Sequence, residues 1–279
     1  MTYVVTATSG HLGHLVVESL LARGVAPEEI LATARDTTKI ADLGVPTAVL
    51  DYAKPETITA ALKPGDTFLL VSASVPGTRF PLHSAAIDAA KAAVVSRIVY
   101  TSAPAATTSA LILAPEHKAT EEYLLASGVP FTILRNGWYT ENYAGTVETA
   151  RATGEIVASV GDGRVSSASR KDYADAAAVA LTDDTFAGQT VELSGDHAWS
   201  FTEFAAAASE VVGRDVTYRS VSPDEHAQIL KSAGLDEGTI GFIVGLDGNI
   251  RDGLLGVTTG DLSRIIGRPT TPFAETLAG

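Results

Sequence analysis

Short apolar, β-branched runs alternate along the first half of the chain with stretches whose apolar side chains recur every three or four positions. The runs at 3–6, 30–34, 47–50, 67–72, 97–101 and 131–134 read as strands. Between them, helices are expected after Gly13, at 55–62, at 83–93 and at 116–127, the last stopped by Gly128. The run at 67–72 is nearly continuous in apolar character, which suits a parallel strand covered on both faces. Six βα repeats with short loops predict an α/β fold: a doubly wound parallel Rossmann sheet with right-handed crossovers. Past residue 136 the pattern is less regular. The segment 154–163 reads as a loop or short hairpin, and Ser169 with Asp172 as a capping box for a helix at 172–181. A strand follows at 191–193. Ser200-x-x-Glu203 and Ser222-Pro223-x-Glu225 each open a helix, with a strand at 216–221 between them. The glycine-rich stretch 238–260 reads as a mobile flap or an ordinary loop. These divisions predict a domain over 1–195, to whose cleft 137–168 contributes, and a smaller α/β capping domain over 196–279.

The opening strand, glycine turn and helix carry the first chemical signal. Gly10 and Gly13 follow the strand, and Leu15, Val16, Leu20 and Leu21 then recur at helical spacing. In a dinucleotide-binding βαβ unit the glycines let the backbone touch a pyrophosphate, and the helix N-terminus offers free N–H groups. Ala7, Thr8, Ser9, Gly10, His11 and Leu12 are therefore candidate phosphate contacts. The first glycine of the usual fingerprint is Ala7 here, and a tight turn with positive φ would tolerate alanine poorly.

Composition narrows the class. With 279 residues, 46% of them hydrophobic, the chain can bury a sizeable core. No apolar run approaches the ~20 residues of a membrane span, and Met1 leads straight into a strand, so a cytoplasmic protein without membrane association is expected. The formal charge of −13 argues against a nucleic-acid partner. There is no cysteine, and of six histidines only His11 and His14 are close neighbours, without a carboxylate partner; no metal site is expected. The sequence leaves room for a homodimer.

The end of the second strand normally selects the cofactor. An acidic side chain there meets a ribose 2′-hydroxyl, and an arginine meets a 2′-phosphate. Arg35, with Lys39 one turn on, favours NADPH; Asp36 could instead serve the ribose. Ser72, Ala73 and Ser74, like Thr101 and Ser102, lie at carboxyl ends of strands, where such sheets bind ligands. Asp51-Tyr52 could edge the adenine or form an Asx-type turn. Asn136-Gly137-Trp138-Tyr139-Thr140-Glu141 leaves the sixth strand beside the expected nicotinamide: Asn136 could bond the amide, and Trp138 and Tyr139 could wall an apolar slot.

A carbonyl reductase of the short-chain type presents a tyrosine with a lysine four residues on; Tyr100, Tyr123, Tyr139, Tyr143 and Tyr173 all lack that lysine. A quinone or similar conjugated acceptor, whose product anion is delocalised, needs no strong acid. His117 is the best remaining proton donor. It and Tyr139 are the candidate catalytic residues, with direct hydride transfer expected and no flavin, metal or covalent intermediate.

Taken together, the stretch from Ala7 to Gly13, Ala34-Arg35-Asp36-x-x-Lys39, Glu116-His117, Gly161-Asp162-Gly163, the tail Ile265-Ile266-Gly267-Arg268-Pro269 and above all Arg135-Asn136-Gly137-Trp138-Tyr139-x-Glu141-Asn142 resemble one family. It is the bacterial zinc-independent (type 2) NAD(P)H:quinone oxidoreductases, atypical short-chain dehydrogenases of the NmrA-like group related to triphenylmethane reductases. The resemblance spans nearly the whole chain. It implies NADPH held at the glycine turn, at Arg35 and at Asn136 to Glu141, with a quinone between the two domains. The family has glycine at the position of Ala7 and threonine at that of Ser9. The NmrA-like group also contains NADP-binding regulators without catalysis, and a dinucleotide-sensing regulator is the rival reading.

Overall fold

The computed structural model describes residues 1–74 and 77–279. Seven strands form the main sheet: β1 (Tyr3–Val5), β2 (Ile30–Ala34), β3 (Thr47–Val49), β4 (Thr67–Leu70), β5 (Arg97–Ser102), β6 (Phe131–Asn136) and β9 (Thr190–Leu193). Their order is β3-β2-β1-β4-β5-β6-β9 and every neighbouring pair is parallel. The chain runs outward from β1 to β3, then returns to lay β4 on the other side of β1. That reversal opens a crevice at the carboxyl ends of β1 and β4, where a doubly wound sheet takes its ligand. Strands β4 and β5 are buried along their whole length, as their apolar runs require.

Helices cover both faces. On one side lie α1 (His11–Ala22) and α6 (Arg170–Thr182); on the other lie α2 (Pro55–Ala61), α3 (Arg79–Ala92) and α4 (Ala114–Ser127). Gly13 decides how closely α1 sits on β1: a Cβ there would lie 2.6 Å from the carbonyl oxygens of both Thr6 and Ala7. Helix α6 is capped by Ser169, which accepts the Asp172 N–H at 3.0 Å. The expected reciprocal half of a capping box is absent. The Asp172 carboxylate instead accepts the Thr271 N–H at 2.9 Å and pairs with Arg268 at 2.7 Å, tying the tail of the chain to the sheet.

A second core lies beyond the carboxyl edge. It gathers α5 (Ala144–Thr153), β7 (Glu155–Ala158), β8 (Arg164–Val165), β10 (Trp199–Ser200), α7 (Phe201–Val212) and β11 (Thr217–Ser220). Trp199, Phe201, Phe204 and Tyr143 pack ring against ring there, and Trp199 stacks on Phe273 of a short final helix (Phe273–Ala278) at 4.2 Å between centroids. Two expectations change. The stretch 154–163 is no hairpin: β7 pairs in parallel with the distant β11. The glycine-rich stretch begins with a 15-residue helix, α9 (Glu237–Arg251), packed beside α8 (Pro223–Ser232). Each glycine costs such a helix roughly 1 kcal/mol relative to alanine. The helix forms because Asp236 caps it through the Thr239 N–H, and because Ile240, Asp247 and Ile250 are buried along it. Asp247 is its anchor, accepting from the backbone N–H and hydroxyl of Ser159 at 2.6 and 2.8 Å, with His226 Nδ1 at 2.8 Å.

The alanine in place of the first fingerprint glycine adopts the glycine's backbone. Ala7 has φ +53°, in the left-handed region, so the turn keeps its shape at a cost in strain. Replacing it with glycine relieves that strain but adds freedom to the unfolded chain. The balance predicts that Ala7→Gly stabilises the fold by about 0.5–1 kcal/mol in denaturant titrations; a loss of stability would show that the turn holds alanine without strain.

Candidate active site

The phosphate end is built first. The N–H of Gly10 closes the turn onto the Ala7 carbonyl at 2.9 Å, and Thr8 is pinned to β2, its hydroxyl donating to the Thr33 carbonyl at 2.9 Å. Ser9, Gly10 and His11 are exposed, while Leu12 packs inward. The N-terminus of α1 has no side-chain cap and no acidic residue in its first turn, so its N–H groups and partial positive charge face outward unclaimed. Arg35 follows β2, exposed and without a hydrogen bond or ion pair among the described residues; Lys39 is exposed close by. Asp36 is occupied: its carboxylate accepts from the N–H and hydroxyl of Thr38, at 3.1 and 2.6 Å, and these bonds hold its pKa below the usual range. Asp51 forms the Asx-type turn, accepting from the Ala53 N–H, and Tyr52 turns into the sheet, where its hydroxyl meets Thr6 Oγ1 at 2.5 Å.

The loop after β4 is held from beneath. Ser72 donates its N–H to Thr101 Oγ1, and Ala73 donates its N–H to His83 Nε2, both at 2.9 Å. Arg79 returns a bond from Nε to the Ala73 carbonyl at 2.6 Å, and Glu116 accepts the N–H groups of Gly77 and Arg79. The Ser72 and Ser74 hydroxyls make no hydrogen bond among the described residues.

At the end of β6, Asn136 is buried. Its Nδ2 donates to the Tyr139 hydroxyl at 3.2 Å, and its Oδ1 has no partner. A buried, unpaired carbonyl oxygen costs about 1–3 kcal/mol unless something donates to it. Gly137 lets β9 approach: a Cβ would stand 2.8 Å from the Tyr173 hydroxyl and 2.9 Å from the Leu193 carbonyl. Tyr139 packs edge-on to Tyr173 at 5.2 Å with the Arg170 guanidinium over its ring, and burial raises its pKa. Thr140 meets the Ser167 hydroxyl at 2.8 Å, and Glu141 accepts the Arg170 N–H at 2.8 Å, at the start of α6.

Beside Asn136 a cavity of ≈ 250 Å³ opens at the carboxyl ends of β5, β6 and β9. Pro104, Trp138, Glu192, Leu254, Leu255 and Val257 are among the residues that line it. Trp138 lines the cavity, and Tyr139 is not among its lining residues. His117 is not on the wall either. It is buried in α4 with Nδ1 2.7 Å from the Tyr100 hydroxyl, and burial, then the Arg79 charge, lower its pKa to about 3. It is therefore neutral at physiological pH. Sequence reading passed over Glu192 and the 254–257 segment. Both depend on tertiary packing, which sets β9 beside β6 and lays the 254–257 segment across the cavity.

Arg135 fixes this edge. Its Nε and Nη2 donate to Glu121 at 2.9 and 2.6 Å, and Nη1 donates to Glu192 at 2.7 Å. Ser102 donates to Glu121 at 2.5 Å, and the Ala105 N–H donates to Glu192 at 3.0 Å.

The comparisons with known proteins agree with this geometry. The profile of a family described as NAD(P)H-binding matches residues 8–184. Quinone oxidoreductase 2 of Escherichia coli (strain K12) is 40% identical over 277 residues, 98% of this chain and 96% of that protein. The crystal structure of the Escherichia coli NADPH-dependent quinone oxidoreductase complexed with NADPH superposes with a TM-score of 0.93, at 40% identity, covering 100% of this chain and 99% of that one. The Citrobacter sp. triphenylmethane reductase complexed with NADP(H) superposes at 0.92, with 32% identity over 99% of each chain. With a buried, unpartnered amide oxygen at the end of β6, an uncapped helix N-terminus behind a glycine turn and a profile match over more than half its length, the chain belongs to the NAD(P)H-binding family.

Proposed function

We infer that this chain is an NADPH-dependent oxidoreductase that reduces quinones or similar conjugated acceptors. The observation that carries the reading is the cavity beside Asn136, mostly apolar and placed at the ligand edge of the sheet. The relatives named for quinone and triphenylmethane reduction support the acceptor class.

The residues fit the cofactor. The turn from Ala7 to Leu12 would hold the pyrophosphate, Arg35 and Lys39 the 2′-phosphate, and Ser72 to Ser74 a ribose. Asn136 Oδ1 would accept from the nicotinamide amide, and Tyr139, bonded to Asn136 Nδ2, would keep that oxygen facing the ring. Gly137, Thr140 and Glu141 would shape this end from behind. NADPH, when bound, supplies a hydride. Trp138 and the 254–257 segment would hold the acceptor flat and exclude water, which is the larger part of what such a site can contribute. His117, neutral and below Tyr100, would support the wall and donate no proton of its own.

We place the domain division at 195/196, with 137–168 reaching into the cleft; in support of that reach, Tyr143, Val147, Ile156 and Val165 pack in one core with Trp199, Phe201 and Phe204. Among the described residues no helix is long and apolar enough to cross a membrane. A cytoplasmic location without a nucleic-acid partner belongs to the same proposal, supported by the charge of −13; so does a homodimer, which the sequence allows.

The deciding experiment follows NADPH oxidation against a small panel of quinones. Turnover with at least one is expected, and failure with all of them would transfer the reading to a dinucleotide-sensing regulator. Calorimetry at one ionic strength should show NADPH bound more tightly than NADH. Arg35→Ala should remove most of that preference, a loss of about 1.5–3 kcal/mol; equal affinities in the unaltered protein would refute the role of Arg35. His117→Ala should slow quinone reduction by less than the ~10²–10⁴ of a general acid. Because the His117 pKa lies at about 3, the pH–rate profile should contain no step near its ordinary value of 6.5 that the variant abolishes.

A further inference from the structure

We propose that Glu192 sets the charge of the acceptors this enzyme takes, admitting neutral and cationic ring systems and turning away anionic ones. The proposal rests on the reading that the cavity beside Asn136 holds the acceptor. Glu192 is the one charged residue lining that cavity among the described residues. Its charge is only partly compensated. The single guanidinium of Arg135 serves two carboxylates, so the group of Arg135, Glu121 and Glu192 carries one excess negative charge.

Geometry assigns that excess to the cavity side. Glu121 is 1% exposed and takes two of the three Arg135 bonds to carboxylate as well as the Ser102 hydroxyl. Glu192 receives one bond from Arg135, and its side chain remains 34% exposed. The Ala105 N–H holds its second oxygen, so the carboxylate cannot swing away from the wall. No lysine, arginine or histidine lines the cavity among the described residues, so apart from Arg135 behind the carboxylate nothing in the wall offsets that charge. A sulfonate or carboxylate on the acceptor would therefore enter against an uncompensated like charge in a cavity with apolar walls, where screening is weak.

The test compares 2-methyl-1,4-naphthoquinone with 1,4-naphthoquinone-2-sulfonate. In the unaltered enzyme kcat/KM should favour the neutral quinone, and the ratio of sulfonate to neutral should rise about tenfold or more in Glu192→Gln, the effect of one charge across a few ångströms of partly wet protein. Calorimetry of naphthalene-2-sulfonate with the NADP⁺-loaded protein should show the same gain in affinity, independent of turnover. An unchanged ratio in a folded variant that still reduces the neutral quinone would overturn the role of Glu192 and leave the oxidoreductase reading standing. If the neutral quinone is not reduced by the unaltered enzyme, the underlying reading fails and the selector fails with it. Should Glu192→Gln not fold, salt dependence of the unaltered enzyme decides: discrimination that weakens with added salt supports the proposal, and salt-independent discrimination overturns it.

Discussion

One guanidinium keeps the ligand edge of the sheet in register. Arg135 leaves β6 and reaches α4 through Glu121, β9 through Glu192 and the 103–107 loop through Thr107 Oγ1 at 3.1 Å. The 103–107 loop and Glu192, on one side of the cavity, hang from these contacts, while Ser166 holds the 254–257 segment on the other through the Leu255 and Val257 carbonyls. Withdrawing two carboxylates and an arginine from water is expensive, and such groups often add little net stability. What they supply is definition: a planar fork satisfies both carboxylates in only one arrangement. The Ala105 backbone shows the constraint, since it stands at φ +44° with its N–H fixed on Glu192.

A second polar layer performs the same task for the loop after β4. His83 Nε2 accepts the Ala73 N–H, so the proton of this neutral ring sits on Nδ1 and faces Thr120 Oγ1 at 3.1 Å. Thr120 in turn donates to the Glu116 carbonyl at 2.9 Å. Burial and the Arg79 charge lower the His83 pKa to about 4, which keeps this direction of bonding intact at physiological pH. The loop after β4 is thus held by neutral imidazole from α3 and by carboxylate from α4, and its outer hydroxyls stay available.

Most of the sheet was legible because its cause is local. Apolar runs bounded by glycine and proline specify parallel strands, and Gly128, Ser200 and Ser222 marked helix ends that the structure shares. Helix α9 was not legible: its cap, its buried stripe and the Ser159–Asp247–His226 anchor outweigh a glycine content that argues for a loop. At the site, Asn136, Trp138 and Arg35 could be nominated from the chain because each stands at or just past the end of a strand of the sheet. The burial of His117 was not legible, because exposure cannot be read from a single histidine in a helix; its environment is set by Tyr100 and Arg79, 17 and 38 residues away in the chain. Glu192 was overlooked because a short strand near the end of the pattern looks peripheral until β9 is found beside β6.

The pairing of Arg268 with Asp172 bears on how this chain is made. Asp172 is fully buried at the start of α6, and its carboxylate is matched by Arg268 and Thr271, close to 100 residues later. During synthesis the first 195 residues leave the ribosome with every strand of the main sheet present, yet without the cation that this aspartate awaits. At that point the Asp172 carboxylate has neither Arg268 nor the Thr271 N–H to meet. N-terminal regions commonly fold ahead of the rest during translation. Here a buried carboxylate of the main sheet's own helix finds its partners in residues made close to 100 positions later, so the packing of α6 is completed by the C-terminal part of the chain.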